Sequence, residues 1–543
     1  MPSSNLRVRA HHIEVPVEAG IGLSEALTSA IVQHLHIPAS SLLHTTVIRR
    51  ALDTRRNKIR YVFSVDIELP ASLAERLLAK QKVTHIPQRT HKTYAIPAHA
   101  QPALQPVVVG AGPCGLFAAL TLAQAGLRPI LLERGKPVGP RAKDVSQLYG
   151  KGILNPESNV CYGEGGAGTF SDGKLYTRVN DDRVTHVLEM LVARGANPDI
   201  LIHNRPHLGT DKLVLLLENI RAHLTSLGAQ YLFESQLKDI HVHNHQLKAL
   251  VLHDGTRIDT SHAILATGHS AHSVWHMLHS KGVPLEVRPI SVGFRIEHPQ
   301  SLINSIRYRS HPYADQLPSA DYRLAYNQPN ARGVYSFCMC PGGVVVTTPT
   351  EAEGLCINGM SHAARTGRFA NSAMVVTVHP QDYQEAGFHG TFAGRLFQEK
   401  SEQQAYTLGG GLFTAPACRV DDFMQGKISQ NLPHSSYRRG LTPAPIHTLY
   451  PDSVISALKE ALHTFNQNMK GFVSSEAVLI GVETRTASPI RTPRDAHTLQ
   501  VPGIQGLYPA GEGMGYGGGI VSAAVDGVRT AEALLEQLLC EKP

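Results

Sequence analysis

Apolar and polar residues alternate from Leu6 to Val15, recur at helical spacing from Leu23 to Leu35, and alternate again over Thr46 to Ala51 and Ile59 to Leu69. The pattern predicts a strand, a helix and two further strands, the strands joined by the polar turn Asp53-Thr54-Arg55-Arg56-Asn57. A helix is predicted from about Ala71 to Lys82, which completes a small α+β unit over residues 1–90. The Pro-, His- and Thr-rich stretch 86–106 that follows has the composition of a linker.

From Pro106 the pattern changes. An apolar run ends in a glycine cluster, then an Ala/Leu-rich helix and a second apolar strand follow, which is the order of a βαβ unit. Residues 210–268 continue it with a helix over Thr210 to Leu227 and strands near 229–233, 238–243 and 247–252. After these come an Asp254-Gly255 turn and the apolar strand Ala263 to Ala266. Residues 270–502 are mixed. Strand-like pieces (Ser291 to Ile296, Gly343 to Thr348, Met374 to Val378) intersperse with helices over about Tyr383 to Ala405 and Ser453 to Asn468. The expected fold class is α/β. A Rossmann-like domain is formed by residues 106–269 and completed by 503–543, a mixed α+β domain (270–502) is inserted into it, and a small α+β domain (1–90) precedes it.

Composition narrows the class. At 42% hydrophobic and 17% charged residues, the chain is expected to be globular, with no long disordered region. Residues 1–12 lack the apolar region of an export signal, and no uncharged apolar stretch approaches the roughly 18 residues that a bilayer crossing needs. Seven scattered cysteines do not read as a secreted disulfide framework, so a cytoplasmic location is expected. The net charge is +7, and residues 1–100 hold 13 Lys/Arg against 7 Asp/Glu. His241, His243 and His245 would share one strand face, but no carboxylate accompanies them and no metal is expected.

The glycine cluster carries the first chemistry. Gly110-x-Gly112-x-x-Gly115 directly follows the strand Val107 to Val109 and opens a helix. Such glycines allow a tight turn, close approach of the backbone to a pyrophosphate, and close packing of helix on strand. Gly126 ends that helix, Arg128 to Leu132 form the next strand, and Glu133 stands where a carboxylate accepts ribose hydroxyls. Near the C-terminus a short strand ends in Ala510-Gly511-Glu512, and Gly517-Gly518-Gly519 opens a second helix. A second acidic group beside a second helix N-terminus suits a ribityl chain and an electron-rich ring, which favours FAD over NAD. Between them, a strand ends in the turn Ala266-Thr267-Gly268.

Together the fingerprint, the Ala-Thr-Gly turn and the segment GLYPAGE resemble FAD-binding enzymes of the glutathione-reductase structural class. Residues 163–178, 335–346, 358–378 and 481–491 more closely resemble a bacterial family of uncharacterised FAD-dependent dehydrogenases, and the resemblance covers nearly the whole chain. It implies FAD and leaves the substrate open. Where the wider class has an aspartate near the ribityl chain, this chain has Glu512. By analogy with related flavoproteins, Gly165, Gly166, Gly168 and Thr169 would approach the pyrophosphate or flavin; the plainer alternative is a flexible glycine loop. Ser171, Asp172 and Lys174 suit either a site or an ordinary turn.

Hydride transfer calls for a cation near an anionic substrate and sometimes for a general acid. Arg485, Arg491, Arg295 and Arg365 are candidates for the first role and His379 for the second. Cys338-x-Cys340 places two thiols on one strand face, although a single intervening residue strains a disulfide. The cysteine pair of glutathione reductase, separated by four residues, is absent, and Cys114 within the phosphate loop is expected to serve packing. The preferred reading is an FAD-dependent oxidoreductase acting on a small organic substrate, with NAD(P)H as a transient visitor. Two alternatives stand beside it. One is a nucleic-acid-modifying flavoenzyme, suggested by Arg49, Arg50, Arg55, Arg56, Lys58 and Arg60 around one hairpin; the other is a flavin-bound docking scaffold.

Overall fold

The computed structural model describes residues 5–18, 23–55, 59–87, 92–309, 311–329 and 331–540. Its N-terminal part runs strand Asn5–Pro16, helix Leu23–Leu35, strands His44–Asp53 and Arg60–Pro70, helix Ala71–Ala79 and strand Thr84–His85. With the strands numbered in that order, the sheet order is 2-3-1-4, a β-α-β-β-α-β topology. Val8, Ala10, Ile13 and Val15 pack with Phe63, Val65, Ile67 and Leu69 against Leu27, Ile31 and Leu77. The period-2 alternation slips once, at His11-His12, where His12 takes φ 58° and the register shifts, so that both halves of the first strand face the same core.

This unit is tied to the rest of the chain. The Arg50 amide donates to Ile202 O (2.7 Å), and the Asn204 amide donates to Arg50 O (2.9 Å). Arg49 binds Asn204, Arg50 pairs with Asp199, Arg55 with Asp53 and Arg60 with Glu14. Each described arginine of the basic hairpin thus has a partner within the chain. Arg56 and Lys58 lie outside the described residues. Among the described residues of the stretch read as a linker, several are docked: Ile96 is buried, its amide bonds Ala125 O, and Tyr94 donates to Glu536.

The central sheet is parallel, in the order Leu507–Pro509, Ala263–Leu265, Val107–Val109, Ile130–Leu132, Gln230–Leu232. Its three middle strands are continuous apolar runs buried on both faces, as a covered parallel sheet requires. Helices Pro113–Gln124, Thr210–Ser226 and Ile520–Cys540 cover one face. An antiparallel sheet (Leu237–His243, Gln246–Leu252, Arg257–Asp259) and helix His272–Ser280 cover the other. The mixed α/β, Rossmann-like fold expected from the sequence is present, and the chain leaves this sheet after Leu265 and rejoins it at Leu507.

Between those points lies an eight-stranded, mostly antiparallel sheet centred on Val334–Thr347, Phe369–Val378, Ile290–Pro299 and Val478–Glu483. The single helix expected over 383–405 is two, Pro380–Glu385 and Ala393–Gly409, because Gly387 and Gly390 take φ 88° and 77° and break it. The three histidines do not share a strand face. The strand ends at His243, and His245 sits in the turn at φ 59° with its ring bonded to Gly503 O.

Candidate functional site

The Val107–Val109 strand ends at Gly110, whose φ of 104° starts the turn into the helix at Pro113. A Cβ on Gly110 would lie 2.4 Å from Ala266 O, and one on Gly115 would lie 1.8 Å from Gly110 O, so strand, turn and helix close on each other only with glycine. Gly112 is different: it caps the helix at φ −75°, and a Cβ there would meet only Gly166 Cα, at 3.8 Å. These two glycines lie almost in contact, and both line one long cleft. Gly110, Gly168, Thr267, Gly268, Glu512 and Gly519 line the same cleft, as do Glu133 and Arg485. Gly115, Gly165, Thr169, Gly511, Gly517 and Gly518 are not part of that lining.

Glu133 is occupied in a way its position in the sequence does not reveal. Its carboxylate accepts the Ala111 amide (2.9 Å) on one oxygen and the Gly135 (2.8 Å) and Gly163 (2.9 Å) amides on the other. It therefore ties the phosphate loop to two neighbouring turns. The glycine loop that follows is held by Arg141, a fully buried residue that sequence reading passed over. Its guanidinium donates to the carbonyls of Asn159, Val160, Glu164 and Gly166 and to Thr169 Oγ1. Burial pulls the Arg141 pKa down to about 10, which leaves it charged at neutral pH. Gly165, at φ 84°, lies against Thr169 and Leu217 with no room for a side chain.

At the C-terminal turn, Gly511 takes φ 70°, and its amide donates to Asp526 (2.8 Å). Cys114 packs against Gly511, and burial pushes its thiol pKa well up, as suits a packing residue. Among the described residues no cation pairs with Glu512. Burial pushes its carboxyl up to about 7, opposed only by a hydrogen bond from the Gly519 amide. The Thr267 hydroxyl is buried without a hydrogen-bond partner among the described residues.

The three residues expected to be catalytic separate. Arg485 reaches the cleft, but Glu402 holds it in a bidentate pair (2.9 and 2.7 Å), and it also donates to Thr350 and Ser270. Arg491 lies outside the cleft, stacked over Tyr516 at 4.8 Å and packed on Gly515. His379 is exposed at the start of helix Pro380–Glu385, in a capping box with Asp382. Lys174, Cys338, Phe337 and Asn358 line the cleft instead. Lys174 pairs with Asp172 at 3.1 Å, and Asp172 also binds Arg365 and Ser361. Burial would raise the Asp172 carboxyl, but the Lys174 and Arg365 charges outweigh it and hold the pKa well below the usual range. Arg295, fully buried, pairs with Glu483 at 2.6 Å and donates to Cys338 O at 2.7 Å.

Residues 289–486 match the family described as FAD-dependent protein, C-terminal domain-like, and residues 108–180 match the NAD(P)-binding Rossmann-like domain. A Clostridium beijerinckii protein, described as an uncharacterized protein, is 39% identical over 542 residues, 98% of this chain and 99% of its own length. The chain belongs to an uncharacterised family of FAD-dependent oxidoreductases. Among solved structures, the flavin-dependent brominase Bmp2 is similar at TM-score 0.35 and 11% identity, over 81% of this chain and 80% of that one. The glycerol-3-phosphate dehydrogenase from Bacillus halodurans complexed with FAD is similar at TM-score 0.33 and 10% identity, over 82% and 67%. Likeness this distant does not bear on the reaction.

FAD is the cofactor of the family, and the cleft of this member fits it. Gly110, Gly112, Gly166 and Gly168 line the cleft without side chains, a helix N-terminus opens onto it, and the buried Thr267 hydroxyl lacks the partner that a polyhydroxylated ligand supplies.

Proposed function

We propose that the protein is an FAD-dependent dehydrogenase or reductase that transfers hydride between the flavin and an organic substrate. The cofactor would lie along Gly110, Gly112, Gly166, Thr267 and Glu512. The observation that carries the reading is that one cleft joins the glycine loop to a wall bearing the Lys174 ammonium. When bound, FAD supplies two-electron hydride chemistry. Lys174, aimed by Asp172, would bind an anionic substrate group or stabilise charge that develops on it. Arg141 holds the glycine loop in place, and Arg485, neutralised by Glu402, orients the wall through Ser270 and Thr350. The parallel sheet with its antiparallel three-stranded appendage supports placing the FAD-binding part, 106–269 with 503–543, in the glutathione-reductase structural class, with 270–502 as the substrate side and 1–90 as a separate domain.

Residues 269–502 contain no second strand, GxGxxG, helix unit among the described residues, which supports NAD(P)H entering transiently by the substrate's face. The test is anaerobic screening of small organic acids, amines and alcohols, and of NADH and NADPH, for bleaching of the bound flavin. Bleaching by one of them that Lys174→Met slows at least tenfold is expected. A flavin that none of them reduces, or whose reduction Lys174→Met leaves unchanged, refutes the reading.

A further inference from the structure

The strand Val334–Thr347 loses its regular geometry where it meets the cleft. Its register against Phe369–Val378 shifts between Phe337 and Cys340 and again between Cys340 and Gly343, and Cys338 takes φ 48°. A non-glycine residue held in the left-handed region beside a double bulge is a local strain of the kind that re-aims side chains at functional sites. In a flat strand, residues two apart have Cα atoms about 6.6 Å apart, at the outer end of the roughly 4.4–6.8 Å that a disulfide spans. Here the side chains converge. Lys174 Nζ lies 3.7 Å from Cys338 Sγ and 3.8 Å from Cys340 Sγ, and Arg295 Nη2 lies 3.6 Å from Cys340 Sγ.

We propose that Cys338 and Cys340 form a dithiol–disulfide couple that exchanges two electrons with the FAD of the cleft. The proposal rests on the flavin reading above. Cys338 lines the cleft, whereas Cys340 is fully buried behind it, which is the arrangement of an exchanging sulfur and a resolving one. The Cys338 thiol is held well below the ordinary range by a hydrogen bond from Cys340 and, against burial, by the Lys174 and Arg295 charges. Cys338 is thus the sulfur more disposed to ionise, while Cys340, held up by its hydrogen bond to Cys338 and by burial, keeps its proton more firmly, the division of roles that exchange uses. In the oxidising direction the Cys338 thiolate and the Cys340 thiol form the S–S bond and give up two electrons and the Cys340 proton. Oxidised FAD takes up those two electrons and one proton. The reverse direction uses reduced FAD and a proton to open the bond. Lys174 stays protonated throughout and balances the thiolate.

The experiment uses the full chain with its flavin. Samples equilibrated in glutathione buffers of graded ratio are quenched in acid, alkylated and analysed by mass spectrometry. Two of the seven thiols are expected to disappear together, with the peptide carrying both cysteines two hydrogens lighter. Anaerobic dithionite titration is expected to consume four electrons per flavin in the wild type and in the Cys418→Ser control, and two in Cys338→Ser and Cys340→Ser. Lys174→Met should raise the pH at which the reduced protein alkylates at Cys338. Thiols that remain alkylatable in every buffer overturn the proposal, and so does a wild-type uptake of only two electrons. A folded sample that releases no flavin on acid extraction instead refutes the flavin reading, and the thiol count is read independently on the same sample.

Discussion

Replacing Gly112 with alanine separates what the phosphate loop does for the fold from what it does for the cofactor. Gly112 sits at φ −75° and ψ −179°, which alanine adopts without strain, and the added Cβ meets nothing closer than Gly166 Cα at 3.8 Å. Loss of unfolded-chain entropy should stabilise the flavin-free protein by about 0.4–1 kcal/mol. The weaker capping by alanine costs about the same, so the net change should lie within about 1 kcal/mol of zero. Gly112 nevertheless lines the cleft at the N-terminus of the helix, where the proposed cofactor's pyrophosphate would approach the backbone, and the added methyl is expected to hold it off. Losing one amide bond to a charged phosphate is worth about 1.5–3 kcal/mol, or roughly 10- to 150-fold in affinity. Gly115→Ala is the contrast, because its Cβ would lie 1.8 Å from Gly110 O and disrupt the loop itself. The assay is urea denaturation of the flavin-free protein together with FAD titration by fluorescence quenching. If Gly112→Ala binds FAD within threefold of wild type, the pyrophosphate does not sit against the Gly112 backbone.

Glu402→Ala should destabilise the chain by about 3–5 kcal/mol in urea, because it leaves the Arg485 guanidinium, 7% exposed, without its counter-charge. Glu402→Leu with Arg485→Met should cost less than Glu402→Ala alone, and a single-variant loss under 1 kcal/mol would refute the argument. Burial raises Glu512 from 4.5 to about 7, so between those pH values the folded protein keeps a proton that the unfolded chain releases. Stability from this group therefore falls as pH rises through that window, by about 2–3 kcal/mol after allowance for the cleft-facing side. Glu512→Gln should flatten the stability profile of the flavin-free protein by that amount, whereas parallel profiles would show the carboxyl to be ionised throughout. No described residue before Lys92 lines the cleft, so a chain beginning at Lys92 should retain FAD. It should also melt lower, since Val17 and Ile59 leave the large core they join; flavin loss from a monodisperse truncation would overturn this.

Sequence alone determined the features that depend on neighbours along the chain. The phosphate loop was legible because tight turning and close packing exclude side chains at fixed spacing, as the contacts at Gly110 and Gly115 demonstrate. The amphipathic elements of the N-terminal unit were legible because their periods of 2 and 3.6 record which face is buried, even across the His11-His12 slip. The occupancy of charged groups was decided only by tertiary structure. Arg485 meets Glu402, 83 positions away, and Lys174 meets Cys338 and Cys340, 164 and 166 positions away. No local pattern encodes such pairings, because a buried charge takes whatever counter-charge the fold delivers to it. Tertiary structure likewise decided that Glu133 is held by three amides and that His379, itself exposed, caps a short helix away from the cleft. The flat-strand expectation for Cys338 and Cys340 likewise gave way to a double bulge, because the strand's register is set by its partner Phe369–Val378 and not by its own residues.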